Sequence, residues 1–266
     1  MYSLYLDCDA GDLDLLSGGL WEAGTQGIRE VENGRGGLTL IAGFQDNSRR
    51  EELLTRFVSH SPKWKHEPET DWVKETQNAW PGREAGTQFF LAAPWTMAPT
   101  PPGRMRIIHN PGLACGTGEH PCTQLALTAL ERYVTPGCLV ADIGTGSGIL
   151  AIAALRLGAH SAIGIDTDEA ALEAARANFE LNGLPADLIA GSVDCLPEAS
   201  ADLTVANISA TVLLALADDL LRMTRPDGRL ILTGFPDSEL AVMQEIFPAE
   251  AILQLEGWSC LISKPS

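Results

Sequence analysis

The residues best placed to do chemistry sit at the ends of three short apolar runs. The first run, Leu139-Val-Ala-Asp-Ile-Gly-Thr-Gly-Ser-Gly148, breaks into glycines at 144, 146 and 148. Glycines let a turn approach a ligand where a Cβ would collide. A helix pattern over 149–157 follows directly, and its first turn offers unpaired N–H donors. The second run, 161–166, ends in Asp166, which lies 22 residues after Gly144. A βαβ unit sets an acid against a ribose at about 20 residues. The third run, 202–207, ends in Asn207, whose side chain carries both an acceptor and donors.

The glycine spacing restricts the ligand. A dinucleotide fingerprint, GxGxxG, needs glycine at 149, where Ile149 stands. A pyrophosphate requires bare backbone and a helix dipole. A phosphate-free nucleoside with an amino-acid tail requires only room. The pattern therefore favours S-adenosylmethionine over a nicotinamide dinucleotide. On that reading Gly144 and Gly146 accommodate the methionine tail, and Asp166 accepts the ribose hydroxyls. Asp194, beyond a strand over 186–190, faces the adenine amino group, and Asn207 orients an attacking amine through its side-chain carbonyl. Two of these residues have second readings. Asp194 suits the start of a turn, and Asn207 suits the cap of the helix after it. Asn207-Ile-Ser209 also spells a glycosylation sequon, with no secretory signal beside it. No dedicated general base stands out, which leaves the proton to water.

Positioning these groups requires a sheet. Strands over 139–143, 161–165, 186–190, 202–206 and 229–233 alternate with helices over 149–157, 168–182, 209–223 and 237–246. Two strands, near 251–255 and 258–263, close the chain, and Pro226-Asp-Gly228 reads as a turn. This alternation predicts an α/β fold with a doubly wound, mostly parallel, seven-stranded Rossmann-like sheet. Gly144, Asp166 and Asn207 then share the carboxyl edge, where such sheets bind ligands. A second glycine-rich stretch, 112–123, precedes a helix over 123–133 that Thr123 opens as N-cap or first-turn residue. It reads either as a loop closing over the ligand or as a capped connection.

Three segments result. Residues 1–70 show β-α-β-β-α-β order: strands over 2–6, 28–32, 38–44 and 64–69, and helices over 12–23 and 49–59, with Ser48 as cap and Asn33-Gly34 as a turn. This predicts a smaller ferredoxin-like α+β domain that recruits a partner. Residues 71–108 hold Trp72, Trp80 and Trp95 among prolines and read as a linker. Within it, 89–93 and 104–109 read as a hairpin. Residues 109–266 form the ligand-binding domain.

Composition narrows the partners. Net charge is −17, from 35 acids against 18 bases, which repels phosphate backbones and disfavours nucleic acid. The charge attracts a basic partner, or serves solubility alone. No run reaches the roughly 18 apolar residues that span a membrane, and the first residues lack a signal-peptide pattern, so a cytoplasmic location is expected. The six cysteines form no CxxC pair and read as reduced thiols. Cys115, Glu119, His120 and Cys122 cluster without a zinc spacing, so no metal is expected.

Together these residues resemble the bacterial ribosomal protein methyltransferases that modify large-subunit protein eleven. The resemblance rests on Asp71-Trp72, the 110–123 stretch Asn-Pro-Gly-Leu-Ala-Cys-Gly-Thr-Gly-Glu-His-Pro-Cys-Thr, the segments 142–154 and 162–166, Val205-Ala-Asn-Ile208 and Gly257-Trp258. It implies S-adenosylmethionine contacts at Thr123, Gly144, Asp166 and Asn207. It also implies methylation of lysine and N-terminal amino groups on a small basic ribosomal protein. Four residues depart from the family: Cys115 for Phe, Glu119 and Cys122 for Thr, and Ser209 for Leu. They leave open another protein lysine or a small molecule as acceptor, or a cofactor-binding protein without catalysis.

Overall fold

The computed structural model describes residues 2–8, 12–32, 37–66, 82–110, 118 and 120–265. The chain divides into two compact units, Met1–Thr76 and Gln77–Ser266. In the first, strand β1 (Tyr2–Cys8) turns Leu4, Leu6 and Cys8 to one face, as period-two alternation requires. Helices α1 (Leu13–Glu22) and α2 (Arg50–Arg56) contribute Leu16, Leu20 and Leu53 to the same core. β1 lies between β3 (Leu38–Phe44) and β4 (Lys63–His66), and β2 (Gly27–Glu32) pairs with the far edge of β3, all antiparallel. The order β2-β3-β1-β4 is ferredoxin-like, as expected. Ser48 does not cap α2: its own N–H is held by Asp46 Oδ1 at 2.8 Å, and the cap position falls on Arg49. The Asn33-Gly34 turn, Trp72 and Trp80 lie outside the described residues.

The linker reading of 71–108 is corrected over its described part. Strands β5 (Arg83–Ala85), β6 (Phe89–Ala92) and β7 (Met105–Ile108) form a three-stranded sheet belonging to the second unit. Phe89, Leu91 and Ile107 are fully buried in that unit's core beside Leu130 and Ile152. The expected hairpin is also corrected, because β6 and β7 run parallel, Phe89 opposite Met105 and Ala92 opposite Ile108. The prolines sit in the crossover between them, which carries no ladder and so loses nothing by lacking N–H groups. The turn before β6 is tied down by Glu131, whose carboxylate accepts from Thr87 N, Thr87 Oγ1 and Gln88 N at 2.7–3.0 Å.

The remaining strands, β8 (Leu139–Ile143), β9 (Ser161–Asp166), β10 (Asp187–Ala190), β11 (Ala201–Asn207), β12 (Thr224–Pro236), β13 (Ala249–Leu255) and β14 (Trp258–Ser263), form a seven-stranded sheet. Its order is β10-β9-β8-β11-β12-β14-β13. Pairings from β10 through β12 are parallel, and β14 inserts antiparallel between β12 and β13. Alternate residues serve opposite faces. Val140, Val205, Ile231 and Ile262 pack with helices α3 (Pro121–Tyr133) and α4 (Ile149–Arg156), together with Phe179 of α5 (Glu169–Leu181). Ala141, Ala206, Leu232 and Leu261 pack with α6 (Ala210–Ala215), α7 (Ala217–Met223) and α8 (Leu240–Ile246). A sheet covered on both faces yields the near-continuous apolar strands seen in the sequence.

Local differences from the expected elements are few. The helix expected over 209–223 breaks at Leu216 (φ −98°, ψ 6°). The Pro226-Asp-Gly228 stretch falls inside the bounds of β12 as a register shift, between the pairs Thr224–Ala201 and Arg229–Leu203, and a Cβ at Gly228 would stand 2.7 Å from Asp202 O. Helix α3 begins two residues before Thr123. Pro121 at its first position presets φ, and His120 is the cap, its Nδ1 accepting from Cys122 N at 3.3 Å. Thr123 is therefore a first-turn residue.

Candidate active site

Chain order reverses between β8 and β11, so a crevice opens past their carboxyl ends. The glycine turn after β8 builds its floor. Gly144 N and Thr145 N both donate to Ile165 O at 2.9 Å, and Gly148 N donates to Thr145 O at 2.8 Å. All three glycines have positive φ, at 67°, 53° and 79°. A Cβ at Gly144 would come 2.5 Å from Ile208 Cγ2, so the site requires glycine twice over, for conformation and for space. Beneath the turn, buried Asp142 accepts from Thr145 Oγ1 at 2.7 Å and Ala151 N at 3.1 Å. Burial pushes its carboxyl up to about 6.

Asp166 and Asn207 arrive from strand ends on either side of β8. Asp166 Oδ2 accepts from Gly146 N at 2.9 Å and Oδ1 from Asp168 N at 3.0 Å. A carboxylate has about four acceptor positions, so roughly two remain for a ligand. Asn207 Nδ2 donates to Thr123 Oγ1 at 3.2 Å, and among the described residues its Oδ1 accepts no hydrogen bond. The next residue, Ile208, is wedged between two strand ends. Gly144 abuts its side chain, and Gly234 (φ 103°) lies where a Cβ would stand 2.7 Å from Ile208 C and N.

These groups meet in one cavity of about 1000 Å³. Thr123, Gly144, Gly146, Asp166 and Asn207 all line it. Asp194 does not. It is exposed on the 3-10 turn Val193–Cys195, while Gly191 and Ser192 take the wall beyond β10, so the cavity does not bring Asp194 together with the other expected site residues. The strand ends at Ala190, and Asp194 follows it on the next turn. Sequence reasoning missed Asn110, His120 and Asn178 on the wall. Asn178 had a readable signal: with Asn182 it places two amides four residues apart on a helix face otherwise buried through Leu172, Ala175 and Phe179.

Of the four departures from the family pattern, Cys115 and Glu119 lie outside the described residues. Cys122 is 1% exposed, bonds the Thr233 side chain, and is held above the usual thiol range by burial. It packs toward β12 and is not among the cavity residues. Ser209 is exposed and starts α6 without a side-chain cap bond. Among the described residues no three His, Cys, Asp or Glu side chains gather to hold a metal ion. No described helix is long and apolar enough to cross a membrane.

A family model described as ribosomal protein L11 methyltransferase (PrmA) matches residues 36–266. The chain belongs to that family. The L11 methyltransferase of Dechloromonas aromatica is 41% identical over 198 residues, covering 73% of this chain and 66% of that protein. That of Burkholderia vietnamiensis is 38% identical over 210 residues, 77% of this chain and 69% of that protein. The chain thus spans about two thirds of the length of these L11 methyltransferases. The crystal structure of the L11 methylase from Lactobacillus delbrueckii subsp. bulgaricus superposes with a TM-score of 0.64 at 33% identity, over 70% of this chain and 99% of that one. A 16S rRNA N2 G1207 methyltransferase from T. thermophilus, in complex with AdoMet and guanosine, shares the fold at 19% identity and a TM-score of 0.54, over 99% of this chain and 65% of that one.

One buried group beside this cavity sets an acid limit. His109 is 1% exposed, its Nε2 has no hydrogen-bond partner among the described residues, and desolvation lowers its pKa to about 4. A histidine depressed on folding contributes stability that is fully present above its unfolded value near 6.5 and is lost as pH falls toward 4. The shift corresponds to about 3 kcal/mol. Urea midpoints between pH 7 and 4.5 should therefore fall more steeply for the parent chain than for His109→Asn. Parallel slopes would remove His109 as the cause.

Proposed function

We propose that the chain carries a methyl group from S-adenosylmethionine to lysine and N-terminal amino groups of a basic, L11-type ribosomal protein. The observation that carries this reading is the meeting of the glycine turn, the Asp166 carboxylate and the Asn207 carboxamide in one cavity. The residues fit the group. The cavity lies at the upper end of the range for small-molecule sites, about 300–1,000 Å³. Asp166 retains acceptor positions suited to vicinal hydroxyls, and among the described residues no Lys or Arg lines the cavity at the glycine turn.

When bound, S-adenosylmethionine supplies an electrophilic methyl whose bonding pair leaves with sulfur. The chain's own residues do the rest. Asp166 holds the ribose, and Gly144 and Gly146 leave space for the amino-acid tail. Thr123 fixes the Asn207 amide so that its Oδ1 accepts an N–H of the incoming amine and aims the nitrogen lone pair. A free lysine titrates near 10.4, so the reactive neutral amine is scarce at pH 7. Ile208 and Leu216, both partly buried, give the cavity an apolar wall that desolvates the ammonium and favours loss of its proton to water.

The ferredoxin-like unit recruits the protein substrate on this reading, and the net charge of −17 draws a basic partner rather than nucleic acid. The reaction belongs to the cytoplasm, where ribosomes are built. The test is incubation of the purified chain with methyl-labelled S-adenosylmethionine and ribosomal proteins from a methylation-deficient strain, read by mass spectrometry. Label on the amines of one L11-type protein is expected. Label confined to other proteins would replace the acceptor, and cofactor binding without any transfer would refute catalysis.

A further inference from the structure

Helix α5 presents two amides to the backbone that runs out of β7. Asn182 Oδ1 accepts from Ile108 N at 2.9 Å, and its Nδ2 donates to Ile108 O at 2.7 Å, so one side chain pairs both polar groups of a residue as a neighbouring strand would. One helical turn earlier, Asn178 Oδ1 accepts from Asn110 N at 3.0 Å. Its Nδ2 reaches a different segment, donating to Ser147 O in the glycine turn at 2.9 Å, with His109 Nδ1 at 3.4 Å. Asn178 is 1% exposed. Asn110, Ser147 and Asn178 line the cavity, whereas Asn182 does not.

We propose that Asn178 is a positioning residue for the cofactor cavity: a single buried carboxamide fixes the spacing between the glycine turn at Ser147 and the wall residue Asn110. This rests on the reading of the cavity as the S-adenosylmethionine site. Only an amide supplies the required pair, an acceptor for Asn110 N–H and a donor for Ser147 C=O, from one fork. A carboxylate of the same shape keeps the acceptor but sets an oxygen against the Ser147 carbonyl. Asn182 anchors the same strand end without reaching the glycine turn, so it is the matched control.

The experiment measures S-adenosylmethionine affinity by calorimetry, KM and kcat for transfer, and Tm, for the parent chain, Asn178→Asp and Asn182→Asp. Asn178→Asp should bind about tenfold more weakly, with the loss in KM exceeding the loss in kcat. Asn182→Asp, at a comparable drop in Tm, should change affinity less than threefold. Parent-like affinity in Asn178→Asp overturns the proposal. So does equal weakening in both variants in step with their Tm, which marks a purely structural role. Should Asn178→Asp not fold, amide exchange on the parent chain decides. Added S-adenosylmethionine should protect Asn110 N–H more than Ile108 N–H, and equal protection overturns the proposal. A parent chain that binds no S-adenosylmethionine defeats the functional reading itself, an outcome distinct from all of these.

Discussion

Asp166→Ala should bind S-adenosylmethionine about a hundredfold more weakly than the parent chain. Hydrogen bonds to a charged acceptor are each worth about 1.5–3 kcal/mol, and two bonds to ribose hydroxyls make about 3 kcal/mol a conservative loss, which corresponds to that factor. The substitution has a second effect. Asp166 also holds Gly146 N and Asp168 N, so its removal loosens the glycine turn and the start of α5 together. Asp166→Asn separates the two contributions. It keeps one backbone acceptor and the volume but removes the charge, and it should fall between parent and alanine variant. Calorimetry on both variants measures this, and an unchanged affinity in Asp166→Ala would end the ribose assignment.

The second large effect is expected in rate. Asn207→Ala should lower kcat by about 10²–10³, the cost typical of deleting one preorganised polar contact in an active site. Affinity for the cofactor should fall much less, because Asp166 and the glycine turn remain. The same mechanism predicts an intermediate loss for Thr123→Val, which keeps the carboxamide but frees it to rotate away from the orientation set by the 3.2 Å bond. Single-turnover assays at saturating cofactor give these rates. Transfer near the parent rate in Asn207→Ala would remove Asn207 from the mechanism.

The site residues legible in the sequence are those whose position follows from short-range rules. The alternate glycines, the acid 22 residues beyond the first of them, and the polar end of the 201–207 strand each mark where a strand must stop and turn. Sheet order supplied the rest, because parallel strands joined by helices put those ends on one edge. What the sequence concealed depends on partners far along the chain. Phe89–Ala92 is plainly a strand, but nothing local tells whether its neighbour runs parallel, and the intervening prolines suit a tight turn and an open crossover equally. Asp194 has the composition of a ligand contact, yet the direction of a three-residue turn decides where its carboxylate points. Asn178 and Asn182 serve backbone 68–74 residues away, which no local pattern records.

Ile208, held between two glycines that tolerate no Cβ, limits how this enzyme family can change its acceptor. Asn207 cannot slide or tilt without prising apart the ends of β8 and β12. A library randomised at 144, 208 and 234 would fill with clones that fail to fold before any sampled a new substrate. On the proposed mechanism, divergence toward other amines runs instead through the exposed turns of α6, where Val212 faces solvent.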